Sequence, residues 1–212
     1  MVGHDIRNPL QSIDGELYLI ASEASSLPEG EMKESIKESV CADRESVAYI
    51  NKIVQDLQDY SKPLMPNLQK TNFEEICKTL LSGNIFPENI NARYVAEDEA
   101  KEFVTDPTLL KRILSNLINN AVQAMPNGGD LKIQARRESG EVVITVMDTG
   151  IGISEEYKDK LFTPLFTTKA KGQGFGLAVV KRMTDVLGGA VTFESKTGKG
   201  TKFVVRFPTA EK

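Results

Sequence analysis

Apolar residues recur every three or four positions through the first sixty residues, and then the period changes. Ile6, Leu10, Ile13, Leu17 and Ile20 follow helical spacing. Residues 25–31 (SSLPEGE) carry turn formers and break the run. The spacing resumes with Met32, Ile36, Val40, Val47, Ile50, Ile53, Val54, Leu57 and Tyr60. Each predicted helix has one apolar stripe and one polar face. A lone hairpin cannot bury both stripes, so two hairpins packing as a four-helix dimer is the expected solution. Pro63 and Pro66 end the second helix, and residues 63–69 read as a hinge.

Beyond the hinge the pattern is mixed. A helix is predicted over 72–81 and a strand over 92–96. A longer helix spans 106–125, with Leu109, Leu110, Ile113, Leu114, Leu117, Ala121 and Ala124 on one side; Asp106-Pro107 supplies an N-cap followed by proline at the first helical position. Leu131, Ile133 and Ala135 alternate, and so do Val142, Ile144 and Val146 across Ser139-Gly140, which predicts a hairpin. Residues 149–176 are glycine-rich and irregular. A further helix follows at 175–187, then strands at 190–195 and 201–207 around Thr197-Gly198-Lys199-Gly200. The order predicts an α+β protein: an antiparallel helical hairpin at 1–62, and at 70–212 an α/β sandwich of helices on one face of antiparallel strands.

Charge sharpens this division. The net charge is −4, but residues 1–64 hold 6 Lys/Arg against 12 Asp/Glu, whereas residues 65–212 hold 20 against 18. An acidic first part and a mildly basic second part imply different partners, and nothing favours a nucleic-acid binder. The two cysteines, Cys41 and Cys77, form no disulfide framework and fit a reducing compartment. No apolar run approaches the ~18 residues of a membrane span, and MVGHDIRNPL lacks the apolar core of a signal peptide. A cytoplasmic location is expected, with membrane attachment, if any, through segments upstream. Only three residues precede His4, so the chain is expected to be a fragment that lacks a sensor and the entry to its first helix.

Four groups of residues carry candidate chemistry. His4 is the sole histidine; on a helix it shares a face with Asn8, four residues on, with Asp5 beside it. An imidazole attacks phosphorus through an unprotonated nitrogen, and an adjacent carboxylate takes the proton from the other. Asn116 and Asn120 are again four apart, on a helix whose interior disfavours asparagine; an amide oxygen suits Mg²⁺ already bound to phosphates. Asp148 ends an apolar strand before Thr149-Gly150-Ile151-Gly152, where a fixed carboxylate accepts a hydrogen bond from an exocyclic amine and so separates adenine from guanine. Gly172, Gly174 and Gly176 lead into a helix whose N-terminus offers free N–H groups to phosphate. The order of elements excludes a Rossmann fingerprint, and no Gly-Lys-Ser/Thr marks a Walker loop. Singly, each group also has an ordinary reading: a surface histidine, a polar helix face, a strand-end turn, a flexible loop.

Together, in this order, they resemble the motifs of sensor histidine kinases of two-component systems. HDIRNPL resembles the H-box, NLINNAVQAMPNGG the N-box, DTGIGIS the G1 box, LFTPLFTTK the F-box, GQGFGL the G2 box and GKGT the last glycine box. HDIRNPL and TPLFTTK are most similar to nitrogen-regulation-type kinases. The resemblance covers nearly the whole chain.

The resemblance implies a dimerising phosphoacceptor hairpin followed by an ATPase domain of the Bergerat type. His4 would be the phosphoacceptor, Asp5 its acid/base partner, and Asn8 the residue that orients water in dephosphorylation of a response regulator. Asn120 would ligate Mg²⁺, with Asn116 nearby. Asp148 would read the adenine amino group, and Gly150 and Gly152 would line its pocket. Phe162 and Phe166 would anchor a mobile lid, unless they are plain core. Lys169 would reach the phosphates, Gly172, Gly174 and Gly176 would let the lid fold over them, and Leu177 and Thr201 would complete the nucleotide site. The implied activity is ATP-dependent autophosphorylation followed by transfer to an aspartate of a receiver domain, with regulator phosphatase activity. The competing readings are another ATPase of the same fold, or a scaffold or phosphatase that binds ATP without phosphorylating itself.

Overall fold

The computed structural model describes residues 2–61, 63–83, 89–168 and 174–208. The chain divides into two compact units, Met1–Lys62 with Lys169–Phe175, and Pro63–Thr168 with Gly176–Lys212.

The first unit is an antiparallel pair of helices, α1 (Val2–Ser25) and α2 (Glu31–Ser61). Leu10, Leu17 and Ala24 lie seven apart, as do Val40, Val47 and Val54, and all six are buried. A seven-residue period keeps a seam on one side of a helix, so these two rows face each other. Leu10, Leu17, Val40 and Val47 form the hairpin core, with Ala21 and Ile36 packed against it. Pro9 stands inside α1 and removes one backbone donor from its first turns. The connection is fastened by Lys33, whose ammonium donates to the Ser25 carbonyl at 3.1 Å, the Leu27 carbonyl at 3.1 Å and Glu29 Oε1 at 2.7 Å. Two of these acceptors lie at the end of α1 and just beyond it, where carbonyls lack helical partners.

The second unit is built around a five-stranded sheet of β2 (Ile90–Ala96), β4 (Gly129–Glu138), β5 (Glu141–Asp148), β7 (Thr201–Pro208) and β6 (Ala190–Ser195), in that spatial order. Along β4 and β5, Leu131, Ile133, Ala135, Ile144 and Val146 are buried on one face, where alternate side chains point the same way. Helix α4 (Pro107–Ala124) packs on β4 and β5, helix α6 (Gly176–Val186) on β6 and β7, and the two helices on each other. Two features depart from the sequence expectation. The edge strand β2 runs parallel to β4, so the sheet is mixed rather than antiparallel. A separate two-stranded sheet joins β1 (Gln69–Asn72) to β3 (Glu102–Thr105), bracketing helix α3 (Phe73–Gly83). Its strands are four residues long and far apart in the chain, too short to show a period. A short α5 (Glu155–Lys158) lies in the irregular stretch before α6.

Asp106 caps α4 and also holds the segment that leads into β1. Its Oδ1 accepts from Thr108 N at 2.8 Å and Leu109 N at 3.0 Å, and its Oδ2 from Asn67 N at 2.8 Å. The chain from residue 67 onward is thereby fixed to the second unit.

Candidate nucleotide-binding site

Asp148 ends the central strand β5 and is 9% exposed. Register places it opposite Leu131 on β4 and Thr201 on β7, and Thr201 opposite Ser195 on β6. These four residues form one cross-strand row. Asp148 Oδ1 accepts from Gly150 N at 2.9 Å and Thr201 N at 3.2 Å, so two backbone donors fix the carboxyl plane.

The loop after β5 is strapped from both sides. Ile151 N donates to the last carbonyl of α4, Ala124, at 2.9 Å, and Gly198 N donates to the Ile151 carbonyl at 2.7 Å. Thr149 Oγ1 accepts from Asp130 N at 3.0 Å, and Ile153 N donates to Ser195 Oγ at 2.9 Å. At Gly152 the backbone has φ +69°, and a Cβ would land on the Lys196 carbonyl; any side chain there meets both strain and a clash. At Gly200, with φ +87°, a Cβ would likewise land on the Asp148 carbonyl.

Asn116 and Asn120 are half-buried on α4, whereas Asn119 between them is exposed. Asn116 Nδ2 donates to the Arg112 carbonyl at 2.9 Å, which leaves Oδ1 as the atom it presents. Gly176 opens α6 against this pair: a Cβ there would stand 3.2 Å from Asn116 Oδ1 and 3.8 Å from Asn120 Nδ2. The absence of a side chain thus keeps a cradle between two amides and a helix N-terminus. Amide oxygens and free backbone N–H groups fit a phosphate-bound Mg²⁺ and its phosphates respectively. Among the described residues no group of three His, Cys, Asp or Glu could hold a metal by itself.

Phe162 packs edge-on against Phe193 of β6 at 5.9 Å, and Phe193 lies 5.9 Å from Phe203 of β7. Phe166 lies 5.8 Å from Tyr157 of α5. Phe162 thus packs on the edge strand β6, and Phe166 packs on α5. Between them Leu165 adopts φ +67° and is 66% exposed, an uncommon conformation for a branched side chain. Leu177 follows Gly176 in α6, half-buried, and Gly174 precedes the helix at φ +70°. Lys169 and Gly172 lie outside the described residues, as do the side chains of His4 and Asp5. Backbone atoms of residues 4 and 5 are helical, and Asn8 is exposed on the same helix. The motifs did not single out Ser195, which the row brings beside Thr201; it belongs to no run of distinctive residues.

Residues 105–211 match the family model described as histidine kinase-, DNA gyrase B- and HSP90-like ATPase. The sensor histidine kinase ZraS of Salmonella typhimurium is 35% identical over 212 residues, covering 98% of this chain and 44% of that protein. The chain thus spans less than half the length of this curated relative. Among solved structures, full-length ShkA in complex with AMPPNP superposes with a TM-score of 0.80 at 24% identity, covering 100% of this chain and 45% of that one; this shows the shared fold. The histidine kinase ThkA in complex with the response regulator TrrA superposes with a TM-score of 0.71 at 26% identity, covering 99% and 60%. With the Asp148 row, the strapped glycine loop and the paired amides lying within the matched segment, the chain belongs to the histidine kinase-, DNA gyrase B- and HSP90-like ATPase family.

Proposed function

We propose that this chain is the phosphotransfer and ATP-binding core of a two-component sensor histidine kinase, which phosphorylates His4 from ATP and passes the phosphoryl group to an aspartate of a response regulator. The observation that carries the reading is the joining of two things in one chain. The ATPase unit holds the Asp148 row and the Asn116/Asn120 cradle, and ahead of it stands a helical hairpin bearing His4, Asp5 and Asn8. Similarity to ZraS runs through both parts, over 98% of the chain, whereas the ATPase family alone would account for the second part.

In this reading Asp148 accepts a hydrogen bond from the exocyclic amine of adenine, beside the backbone of Gly150 and Gly152 and the hydroxyl of Thr201. The N-terminal N–H groups of α6, at Gly176 and Leu177, face the phosphates, with Gly172, Gly174 and Lys169 in the segment that closes over them and Phe162 and Phe166 as its anchors. Asn120, with Asn116 beside it, would hold Mg²⁺, which neutralises charge on the phosphates. An unprotonated nitrogen of the His4 imidazole attacks the γ-phosphorus, the bond to the β-bridging oxygen breaks, and ADP leaves. Asp5 takes the proton from the other ring nitrogen. The phosphoryl group then moves to a receiver aspartate, and Asn8 orients water for its later hydrolysis. The ThkA–TrrA complex supports a receiver domain as partner. The acidic hairpin, 6 Lys/Arg against 12 Asp/Glu in residues 1–64, favours a basic docking patch and salt-sensitive association.

Incubation with ATP labelled at the γ-phosphate tests this directly. The expected product carries acid-labile, base-stable label that is lost in His4→Ala. Label on serine, or tight ATP binding with no label, would favour the other ATPases or a binding-only role. Asn8→Ala is expected to lose regulator dephosphorylation while keeping autophosphorylation.

A further inference from the structure

Ser195 belongs to none of the motifs, yet its hydroxyl ties together the surroundings of Asp148. Oγ accepts from Ile153 N at 2.9 Å, lies 3.0 Å from the Gly200 carbonyl, and lies 2.9 Å from Thr201 Oγ1. Thr201 in turn donates its backbone N–H to Asp148 Oδ1. Ser195 therefore spans the glycine loop on one side and the β7 end of the Asp148 row on the other.

The hydrogen count gives this position a further property. A serine hydroxyl has one proton and two lone pairs. Ile153 N–H occupies one lone pair. The single proton serves either the Gly200 carbonyl or Thr201 Oγ1, but not both. When it serves Gly200, Thr201 satisfies itself by donating into the second lone pair of Ser195, and its oxygen remains an acceptor for anything beside Asp148. When it serves Thr201, the threonine proton is released toward a ligand. Rotation of two hydroxyls, without backbone movement, switches Thr201 between acceptor and donor.

We propose that Ser195 is a positioning residue for base recognition: it holds residues 150–153 against the sheet and sets the hydrogen-bonding face that Thr201 offers to a purine beside Asp148. The inference rests on the assignment of Asp148 as the reader of the adenine amine. Adenine presents an amino donor next to a ring-nitrogen acceptor, whereas hypoxanthine presents an oxo acceptor next to an N–H donor. A carboxylate acceptor beside a threonine donor matches the first pair and mismatches the second.

Titration calorimetry of the whole chain with ATP and with ITP, each with Mg²⁺, tests the proposal. In Ser195→Ala the Kd for ATP is expected to rise roughly 5- to 30-fold, the effect of orphaning one hydrogen-bonded group, and the preference for ATP over ITP to fall. Ser195→Thr, which keeps the hydroxyl, should restore both. Unchanged ATP affinity and unchanged preference in Ser195→Ala overturn the proposal, as does a lower melting temperature with wild-type nucleotide values. Should Ser195→Ala fail to fold, Ser195→Cys, a much weaker acceptor of similar shape, reads the same ratio. Asp148→Asn separates the two levels. If it leaves ATP affinity intact, the base-reading assignment itself falls; if it abolishes affinity while Ser195→Ala changes nothing, only the role of Ser195 falls.

Discussion

Cys77 lies on α3 with no exposed surface, and burial, with Glu74 adding to it, pushes its thiol from 9.0 up to about 12. Cys41, by contrast, is exposed on α2. Thiolate is the reactive form, so the two cysteines should part sharply. A thiol reagent at neutral pH is expected to modify one cysteine per folded chain and two after denaturation; two rapid modifications in the folded chain would contradict the burial. The same shift sets a stability trend. Between about 9 and about 12 the unfolded chain releases this proton and the folded chain retains it, so stability falls as pH rises through that window. Cys77→Ala should flatten that part of the profile. Asp106, another buried single residue, shows how much one carboxylate can organise: three backbone donors converge on it, two from the helix it caps and one from Asn67.

The hairpin connection, an element of only a few residues, depends on Lys33. Its side chain is 9% exposed and its ammonium is shared among two carbonyls and Glu29. Removing it in Lys33→Ala orphans acceptors at the end of α1, and the hairpin is expected to lose about 1–3 kcal/mol in thermal or urea unfolding. A loss below the error of the measurement would show that water replaces the ammonium without cost. Glu29 is held below its usual carboxylate range chiefly by the hydrogen bond from Lys33. A depressed carboxylate contributes at and above its ordinary pKa and ceases to as pH falls beneath it. The connection should therefore loosen in acid.

On the scale of the whole molecule, the hairpin leaves a second row unsatisfied. Ile6, Ile13 and Ile20 lie seven apart on α1 and are 36%, 44% and 46% exposed, and Ile50 and Leu57 on α2 are 41% and 47% exposed. We propose that a second copy covers this row, the two hairpins packing as a four-helix bundle. Ile13→Glu combined with Ile50→Glu is expected to halve the mass in light scattering while leaving the ATPase unit folded. An unchanged mass would remove the dimer from the account. No helix among the described residues is long and apolar enough to cross a membrane.

The sequence by itself determined the five longer helices, the β4–β5 and β6–β7 hairpins and the grouping of motif residues, because these depend on periods of two, three and a half, or four positions. Asn116 and Asn120, or Leu10 and Leu17, are neighbours on a helix whatever the rest of the chain does. Only the tertiary structure decided which distant segments meet. The parallel seat of β2, the β1–β3 pair, the Gly176 backbone against the Asn116 amide, and the pairing of Asp148 with Thr201 all join residues dozens of positions apart, and Ser195 enters that row only because β7 carries it, across a local turn, to Asp148. No local period encodes such contacts. They are selected by the burial and hydrogen bonding of the folded sheet as a whole, and that is why the motifs revealed Asp148 but not the serine two strands away.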